Sequence, residues 1–235
     1  LSYYICNLST HITMLAYCAG SDSAGRAYDY AQTFCGGNGL ITKDGVPKPV
    51  YYVFSFLKEM GSRCFARGKG YQITGTLSES FMPLDASKHS QADSEESSKI
   101  LEGCEILCCH PGTFSWNFTE KSEDEINVDN VDTVFTTEGS RNLSIRLSGI
   151  LSGAYTITRY SINNADNNVL EQWKAVRPLE PLNDATLDYL KAITRPRMKA
   201  RAVHIDCGRL ELEEKLDLNE TVFIKIRRQQ TFCNN

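Results

Sequence analysis

GLITKDGVPKPVYYVFSFLKEMG, residues 39 to 61, contains the clearest helix signal in this chain of 235 residues. An Asp-Gly turn begins at Asp44, Pro49 suits the first helical position, and Gly61 follows the last apolar residue as a C-cap would. Few positions between Val50 and Met60 are polar, so the apolar surface extends well beyond one narrow stripe. The pattern predicts a helix over residues 50–60 that needs cover on two sides.

A short apolar run, ITMLAYCA, precedes this helix at Ile12–Ala19 and is closed by Gly20. Such a run is typical of a strand that is buried on both faces, as in a parallel sheet. A parallel strand needs parallel neighbours, yet only eleven residues precede Ile12 and the pattern changes after Gly61. Residues 1–61 are therefore expected to be the tail of a larger α/β unit.

Beyond Gly61 the hydrophobic period changes from helical to two, which indicates a second domain over residues 62–235. About seven segments alternate apolar and polar residues or are rich in β-branched and aromatic ones, and turn signals separate several of them. This spacing predicts a mainly β fold, an antiparallel β-sandwich. The segments are Tyr71–Thr74, Cys104–His110, Leu143–Leu147, Ala154–Ile162, Arg201–Ile205, Leu210–Leu216 and Val222–Ile226.

A small helical insertion is predicted within the sandwich at about 167–194. Asn167 or Asn168 can cap a first helix, and Asn183 or Asp184 can cap a second one. Trp173 could stack on a sugar, but its helical spacing from apolar neighbours favours a core position.

Two polar segments, Asp85–Ser98 and Thr119–Asp132, interrupt the strand pattern. Both are charged and poor in apolar residues, so they are expected to be mobile loops. The second contains clustered carboxylates at Glu123–Glu125, which could suggest a cation site. It lacks the glycine and the fixed alternation of a calcium loop, which favours a solvated acidic loop.

The composition excludes several classes of protein. Hydrophobic residues make up 41% of the chain, which is enough for a core, and the net charge is −4. We identify no basic stripe in the sequence, so direct contact with nucleic acid is not expected. No apolar run approaches the roughly 20 residues that span a bilayer, and the N-terminus lacks the order of a signal peptide, so no membrane contact is expected.

Nine cysteines are scattered through the chain without the spacing of a disulfide framework. Reduced, buried thiols are the better interpretation, and they favour a cytoplasmic protein. The sequence Cys108-Cys109-His110 invites a metal interpretation, but neighbouring residues on a strand point to opposite faces and cannot converge on one ion. We therefore predict no metal site and no cofactor.

Two segments resemble a known family. GNGLITKDGVPKPVYYVFSFLKEMG, from Gly37 to Gly61, and ITRYSINNADNNVLEQW, from Ile157 to Trp173, are similar to the C-terminal part of glycoside hydrolase family 39, whose best-known members are β-xylosidases. That family has a (β/α)8 barrel that continues into a β-sandwich with a helical insertion. The resemblance implies that Ile12–Ala19 is the eighth barrel strand and Val50–Met60 the eighth barrel helix. Residues 1–61 would then be the end of an incomplete barrel, placed before the accessory sandwich.

The resemblance also implies where the chemistry lies. Retaining glycosidases need two carboxyl groups about 5–5.5 Å apart, one as acid/base and one as nucleophile. The family carries these glutamates at the ends of barrel strands four and seven, which would lie upstream of Leu1. The Asn219-Glu220 dipeptide resembles the family's acid/base motif, but it falls in a turn between sandwich strands and is interpreted as structural. This chain alone is therefore predicted to be inactive.

Residues at the C-terminal end of a barrel strand face the substrate, which makes Cys18, Ser21 and Asp22 candidates for the rim of a sugar pocket. Cys18 and Asp22 are the predicted substrate-binding residues, with a carbohydrate as the ligand of the parent protein. Family members carry a tryptophan where Cys18 stands, and a thiol provides no stacking platform for a pyranose ring. This departure supports an alternative, the C-terminal sugar-sensing region of an AraC-type transcription regulator.

The exposed apolar surface expected on Ile12–Ala19 and Val50–Met60 predicts association. The partner would be the missing N-terminal part of the barrel or a second copy of this chain.

Overall fold

The computed structural model describes residues 17, 19–22, 32–34, 37–78, 100–115, 125–127, 129–135, 139–176 and 180–229. These ranges contain three α-helices, eight strands and a short 3-10 helix at Val131–Val134. In chain order the elements are α1 (Pro49–Glu59), β1 (Arg63–Gly68), β2 (Tyr71–Ser78), β3 (Ile100–His110), β4 (Ser140–Ser148), β5 (Gly153–Ile162), α2 (Val169–Val176), α3 (Asp184–Ile193), β6 (Arg197–Ile205), β7 (Arg209–Asp217) and β8 (Glu220–Arg228).

The strands form two antiparallel sheets, which confirms the predicted mainly β class. Six strands pair in the order β1-β2-β3-β8-β5-β6, and β4 pairs with β7 in a separate two-stranded sheet. Each of the seven predicted segments lies within one of these strands. The sequence analysis missed β1, because its residues are mostly exposed and show no apolar face.

The main core lies between the two sheets. Alternate side chains of the central strands β3 and β8 meet the inward side chains of β4 and β7, as the period of two requires. The buried members include Cys104, Ile106, Cys108, Ile145, Leu212, Leu216, Val222, Ile224 and Ile226. Burial of this set holds β4 and β7 against the larger sheet.

Helix α1 covers the opposite face of the six-stranded sheet. Its buried residues Val53 and Phe56 pack on Leu107 of β3 and Phe223 of β8, and the Phe56 and Phe223 rings stack with centroids 5.0 Å apart. The helix predicted at 50–60 is therefore present one residue earlier, with proline in its first turn. The six-stranded sheet covers one of the two sides of this helix that the sequence predicts to be covered.

The predicted helical insertion is also present, as α2 and α3. Asn183 caps α3, since its side chain accepts a hydrogen bond from the Thr186 backbone N–H at 2.8 Å. Trp173 of α2 is fully buried, with Leu190 of α3 and Phe34 in the same cluster. It is a core residue.

The division of the chain at residue 61 stays a prediction. Phe34 and Val46 share a buried cluster with α2 and α3, and α1 shares another with the six-stranded sheet. Residues before and after position 61 therefore contribute to common cores.

Parts of the predicted strand and loops lie outside the described residues. Of the predicted strand at Ile12–Ala19, only Tyr17 and Ala19 are described, and the Asp85–Ser98 segment is not described at all. Among the described helices, none has the length and apolar character needed to cross a bilayer.

Five of the nine cysteines lie in the described ranges, all as free thiols. Cys104, Cys108 and Cys109 are buried, as predicted, with Cys108 in the main core and Cys109 on the helix side of the sheet. The prediction of burial is wrong for Cys64, on the exposed edge strand β1, and for Cys207, in the turn between β6 and β7.

We expect these two groups of thiols to differ in reactivity. Burial, reinforced by a nearby carboxylate, raises the pKa of both Cys104 and Cys108 to about 12, so both stay protonated at about pH 8 and are poor nucleophiles. Iodoacetamide labelling of the native chain, followed by peptide mass spectrometry, should modify Cys64 and Cys207 well before the two buried thiols. Equal labelling rates at all four positions would contradict the described packing.

Candidate functional site

The predicted site residue Asp22 lies in a buried loop cluster beside the start of α1. The residue is 3% exposed, and Oδ1 accepts hydrogen bonds from the Gly39 backbone N–H and from Lys48 Nζ, both at 2.7 Å. Lys48 Nζ also donates to the Gly37 carbonyl at 2.7 Å. The carboxylate is thus paired with a cation that is itself largely buried.

The glycine-rich loop closes tightly over this carboxylate. A Cβ atom at Gly39 would lie 2.3 Å from the Asp22 backbone nitrogen, and one at Gly37 would lie 2.5 Å from Asp22 Oδ1. Only glycine permits so close an approach. Oδ2 of Asp22 is buried and has no hydrogen-bond partner among the described residues.

The other predicted rim residues are placed only in part. Ser21 forms a parallel bridge with Ile41, so the chain after the predicted barrel strand runs beside the glycine-rich loop. Cys18 lies outside the described residues. A sugar-binding role for Cys18 and Asp22 therefore remains a prediction.

A second feature is a cavity of about 740 Å³ next to this cluster. It lies between the start of α1, the loop from β5 to α2 and the loop that contains the 3-10 helix. Its polar lining is Gln32, Lys48, Asn127, Asn163, Asn164, Asn167, Asn168 and Asn219, and its apolar lining is Phe34, Pro49, Ile126, Val131, Ile162, Val169 and Leu170. Its size is within the range of small-molecule sites.

Asparagine side chains build the wall of this cavity between β5 and α2. Asn163 Oδ1 accepts a hydrogen bond from the Asp166 N–H at 2.7 Å, and Asn168 Oδ1 accepts one from Glu171 at 3.3 Å. Asn167 Nδ2 donates to the Arg195 carbonyl at 2.6 Å, which ties the loop to the residues that follow α3. These bonds fix the backbone of the loop, as asparagine does in turns and helix caps.

The Thr119–Asp132 segment, predicted to be a mobile loop, contributes an ordered turn to the opposite wall. Asn127 Oδ1 accepts a hydrogen bond from Asp129 N–H at 2.9 Å, and Asn130 Nδ2 donates to the Glu125 carbonyl at 2.8 Å. These asparagine bonds order the described part of the segment. They also place Ile126 and Val131 against the cavity.

Several amide groups keep hydrogen-bonding capacity toward a ligand. In the described part of the chain, Asn164 makes no side-chain hydrogen bond, and the amide nitrogens of Asn127, Asn168 and Asn219 have no acceptor. Lys48 is the charged member of the described lining, and its ammonium group is engaged by Asp22 and Gly37. The cavity therefore offers neutral donors and acceptors beside apolar surface, which suits a polyhydroxylated ligand.

The cavity was not predicted from the sequence. The signal was the run SINNADNN from Ser161 to Asn168, which contains four asparagines and was interpreted as part of the family resemblance and as a source of helix caps. Its lining comes from segments far apart in the chain, so only the fold brings them together.

The helical insertion is tied to the loop before α1 by a network of polar groups. Trp173 Nε1 donates to Glu180 Oε1 at 2.7 Å, and the Thr33 backbone N–H donates to the same oxygen at 3.1 Å. The Thr33 hydroxyl donates to Asp44 Oδ2 at 2.9 Å. This network fixes one wall of the cavity relative to α2.

Glu220, which the sequence analysis placed in a turn and interpreted as structural, is the first residue of β8 and is held in an ion pair. Its side chain is 5% exposed, and Oε1 accepts a hydrogen bond from Arg159 at 3.1 Å while Oε2 accepts one from the Asp217 N–H. Arg159 also pairs with Glu214 at 2.9 Å. Burial works to lower the pKa of Arg159, but the hydrogen bonds and charges of the two glutamates leave it raised. One guanidinium inside the sandwich therefore pairs with both carboxylates.

This architecture is similar to that of several solved structures. No protein-family model matches the chain, and no curated protein matches it. Among solved structures, the family 39 glycoside hydrolase from Xanthomonas axonopodis pv. citri matches with a TM-score of 0.59, 14% identity and 85% coverage of this chain. Two β-xylosidase structures from Caulobacter crescentus match with TM-scores of 0.58, identities of 15% and 14%, and coverage of 85% and 96% of this chain.

The chain spans only about a third of the length of these enzymes, since the matches cover 34%, 34% and 39% of them. At such identities the likeness concerns the fold. The chain has the fold of the C-terminal part of family 39 glycoside hydrolases, as the sequence resemblance implied.

Proposed function

We propose that this chain is the C-terminal, non-catalytic part of a retaining, β-xylosidase-type glycosidase related to family 39. The observation that carries the proposal is the match of 85% to 96% of this chain to enzymes of which it spans 34% to 39%. The two catalytic glutamates of the family belong, by the resemblance, to barrel strands outside these residues. Glu214 and Glu220, the carboxylates that flank Arg159, are occupied in ion pairs.

The physical role that follows is structural. Helix α1 is anchored on the sandwich by Val53 and Phe56, and the loop before it is anchored on the helical insertion by Phe34 and Val46. A barrel that ends in this helix would be held against the sandwich over both contacts. The free thiols support a cytoplasmic location.

The proposal is tested by assaying the 235-residue chain on nitrophenyl β-xyloside, with a full-length β-xylosidase as the positive control. We expect no turnover above the buffer background, because double displacement needs a pair of carboxyl groups and, by the resemblance, the family's two lie on barrel strands outside these residues. A Glu220→Gln variant serves as a matched control and should behave identically. Turnover that this substitution abolishes would overturn the proposal.

The cavity favours a second candidate, the sugar-sensing region of an AraC-type regulator. A cavity of about 740 Å³, whose polar lining apart from Lys48 is uncharged, suits recognition without cleavage. Calorimetric titration with xylobiose separates the candidates, because a sensor should bind the sugar through this chain alone. A helix-turn-helix in the upstream sequence of the parent would favour the regulator, whereas glutamates at strand ends four and seven would favour the enzyme.

A further inference from the structure

Strand β6, Arg197–Ile205, forms an edge of the six-stranded sheet. It pairs with β5 along its whole length, and no other strand pairs with it in the part of the chain that the structure describes. Most of its residues are exposed. Its outer side therefore presents backbone groups that another strand could bind.

The hydrogen-bonding pattern of β5 with its two neighbours, β8 and β6, determines which residues of β6 present backbone groups on the outer side. The Gln229 N–H donates to the Ala154 carbonyl at 2.9 Å, so the even-numbered residues of β5 point their backbone groups toward β8. The odd-numbered residues of β5 then face β6, where Arg159 is opposite Lys199. It follows that the even-numbered residues of β6, including Ala200, turn their N–H and C=O groups outward.

The side chains of β6 divide into two different faces. Arg197, Lys199 and Arg201 lie on one face, and Met198 and Ala200 lie on the other, with Met198 59% exposed. Arg197 pairs with Asp166, whereas Lys199 and Arg201 have no ion pair within the described ranges. The net charge of −4 conceals this local alternation of basic with apolar residues.

We propose that β6 accepts an added strand from an acidic segment of another protein, in which acidic and apolar residues alternate. The backbone groups of Ala200 and its even-numbered neighbours would continue the ladder, as in other cases of strand addition. The acidic side chains would lie beside Lys199 and Arg201, and the small Ala200 leaves room for the apolar ones. A second copy of β6 is disfavoured as the occupant, because its basic residues would face these basic residues.

The test uses a fluorescein-labelled nine-residue peptide in which glutamate alternates with valine, titrated with the full chain at low ionic strength. We expect Lys199→Glu/Arg201→Glu to weaken binding at least about tenfold, since attraction becomes repulsion. Ala200→Pro should weaken it about tenfold as well, because it removes an outward N–H without removing a bond to β5. The matched control Arg63→Glu/Lys215→Glu changes the net charge equally and should leave affinity within about twofold.

A second probe keeps the test independent of how well the proline variant folds. The same peptide with N-methyl groups on alternate amides retains its charges but cannot pair as a strand, and it should bind at least about tenfold more weakly. Equal binding of the two peptides would overturn the proposal. Absence of binding would overturn it too, and so would concentration-dependent dimers that Ala200→Pro abolishes, because β6 would then pair with a second copy of itself.

Discussion

Replacing Trp173 by alanine is expected to lower the free energy of unfolding by about 3–5 kcal/mol, the range for removing a large buried aromatic side chain. Trp173 is fully buried against Phe34, Val46 and Leu190, so the change leaves a cavity where two parts of the chain meet. It also leaves Glu180 Oε1 without the indole donor. Urea unfolding followed by circular dichroism measures the loss without relying on tryptophan fluorescence.

Two further variants isolate the cause. Trp173→Phe keeps most of the apolar volume and loses the hydrogen bond to Glu180, so we expect a smaller cost of about 1–2 kcal/mol. Met198→Ala truncates an exposed side chain and should change stability by less than about 0.5 kcal/mol. A Trp173→Ala variant as stable as Met198→Ala would refute the described packing of the insertion.

Replacing Arg227 by methionine is expected to destabilise the fold by about 2–3 kcal/mol, because it leaves the buried carboxylate of Glu105 without its cation. This loss of stability is small for the removal of one partner of a buried ion pair, since the Arg227 side chain is 49% exposed and water can reach its position. The other carboxylate oxygen of Glu105 accepts hydrogen bonds from Thr74 Oγ1 at 3.1 Å and from the Gly61 N–H at 3.0 Å. Glu105 therefore also fixes the position of Gly61, in the segment that follows α1.

A double-mutant cycle tests this explanation. In a Glu105→Gln background no charge is left unpaired, so Arg227→Met should cost less than about 1 kcal/mol by urea unfolding. An equal cost of Arg227→Met in both backgrounds would show that the arginine acts through its packing and not through Glu105.

The strands and the insertion helices were predictable because their signals are local. Alternation of side chains marks β7, a run of β-branched and aromatic residues marks β8, and Asn183 caps α3 within a few residues of sequence. The first half of β6 was missed, since Arg197 to Ala200 contains no β-branched residue and the ladder with β5 imposes the strand. Strand β1, RCFARG, was missed because it also contains no β-branched residue, and its ladder with β2 imposes the strand.

The sites depend on tertiary structure and were predicted less well. Asp22 was singled out from its place after an apolar run, but its partner Lys48 lies 26 residues away and no spacing rule connects them. The cavity needs Phe34, Asn127 and Asn219 to meet, and the basic face of β6 depends on the register with β5.

Lys48 contributes to both the buried Asp22 cluster and the cavity, because its ammonium group binds Asp22 while its side chain lines the cavity. A molecule that enters the cavity and draws this ammonium toward itself would loosen the grip on Asp22. Linkage is reciprocal, so a change that draws Asp22 away from Lys48 would alter the affinity of the cavity for such a molecule by the same factor. One lysine thereby couples the buried carboxylate beside the glycine-rich loop to the occupancy of the cavity.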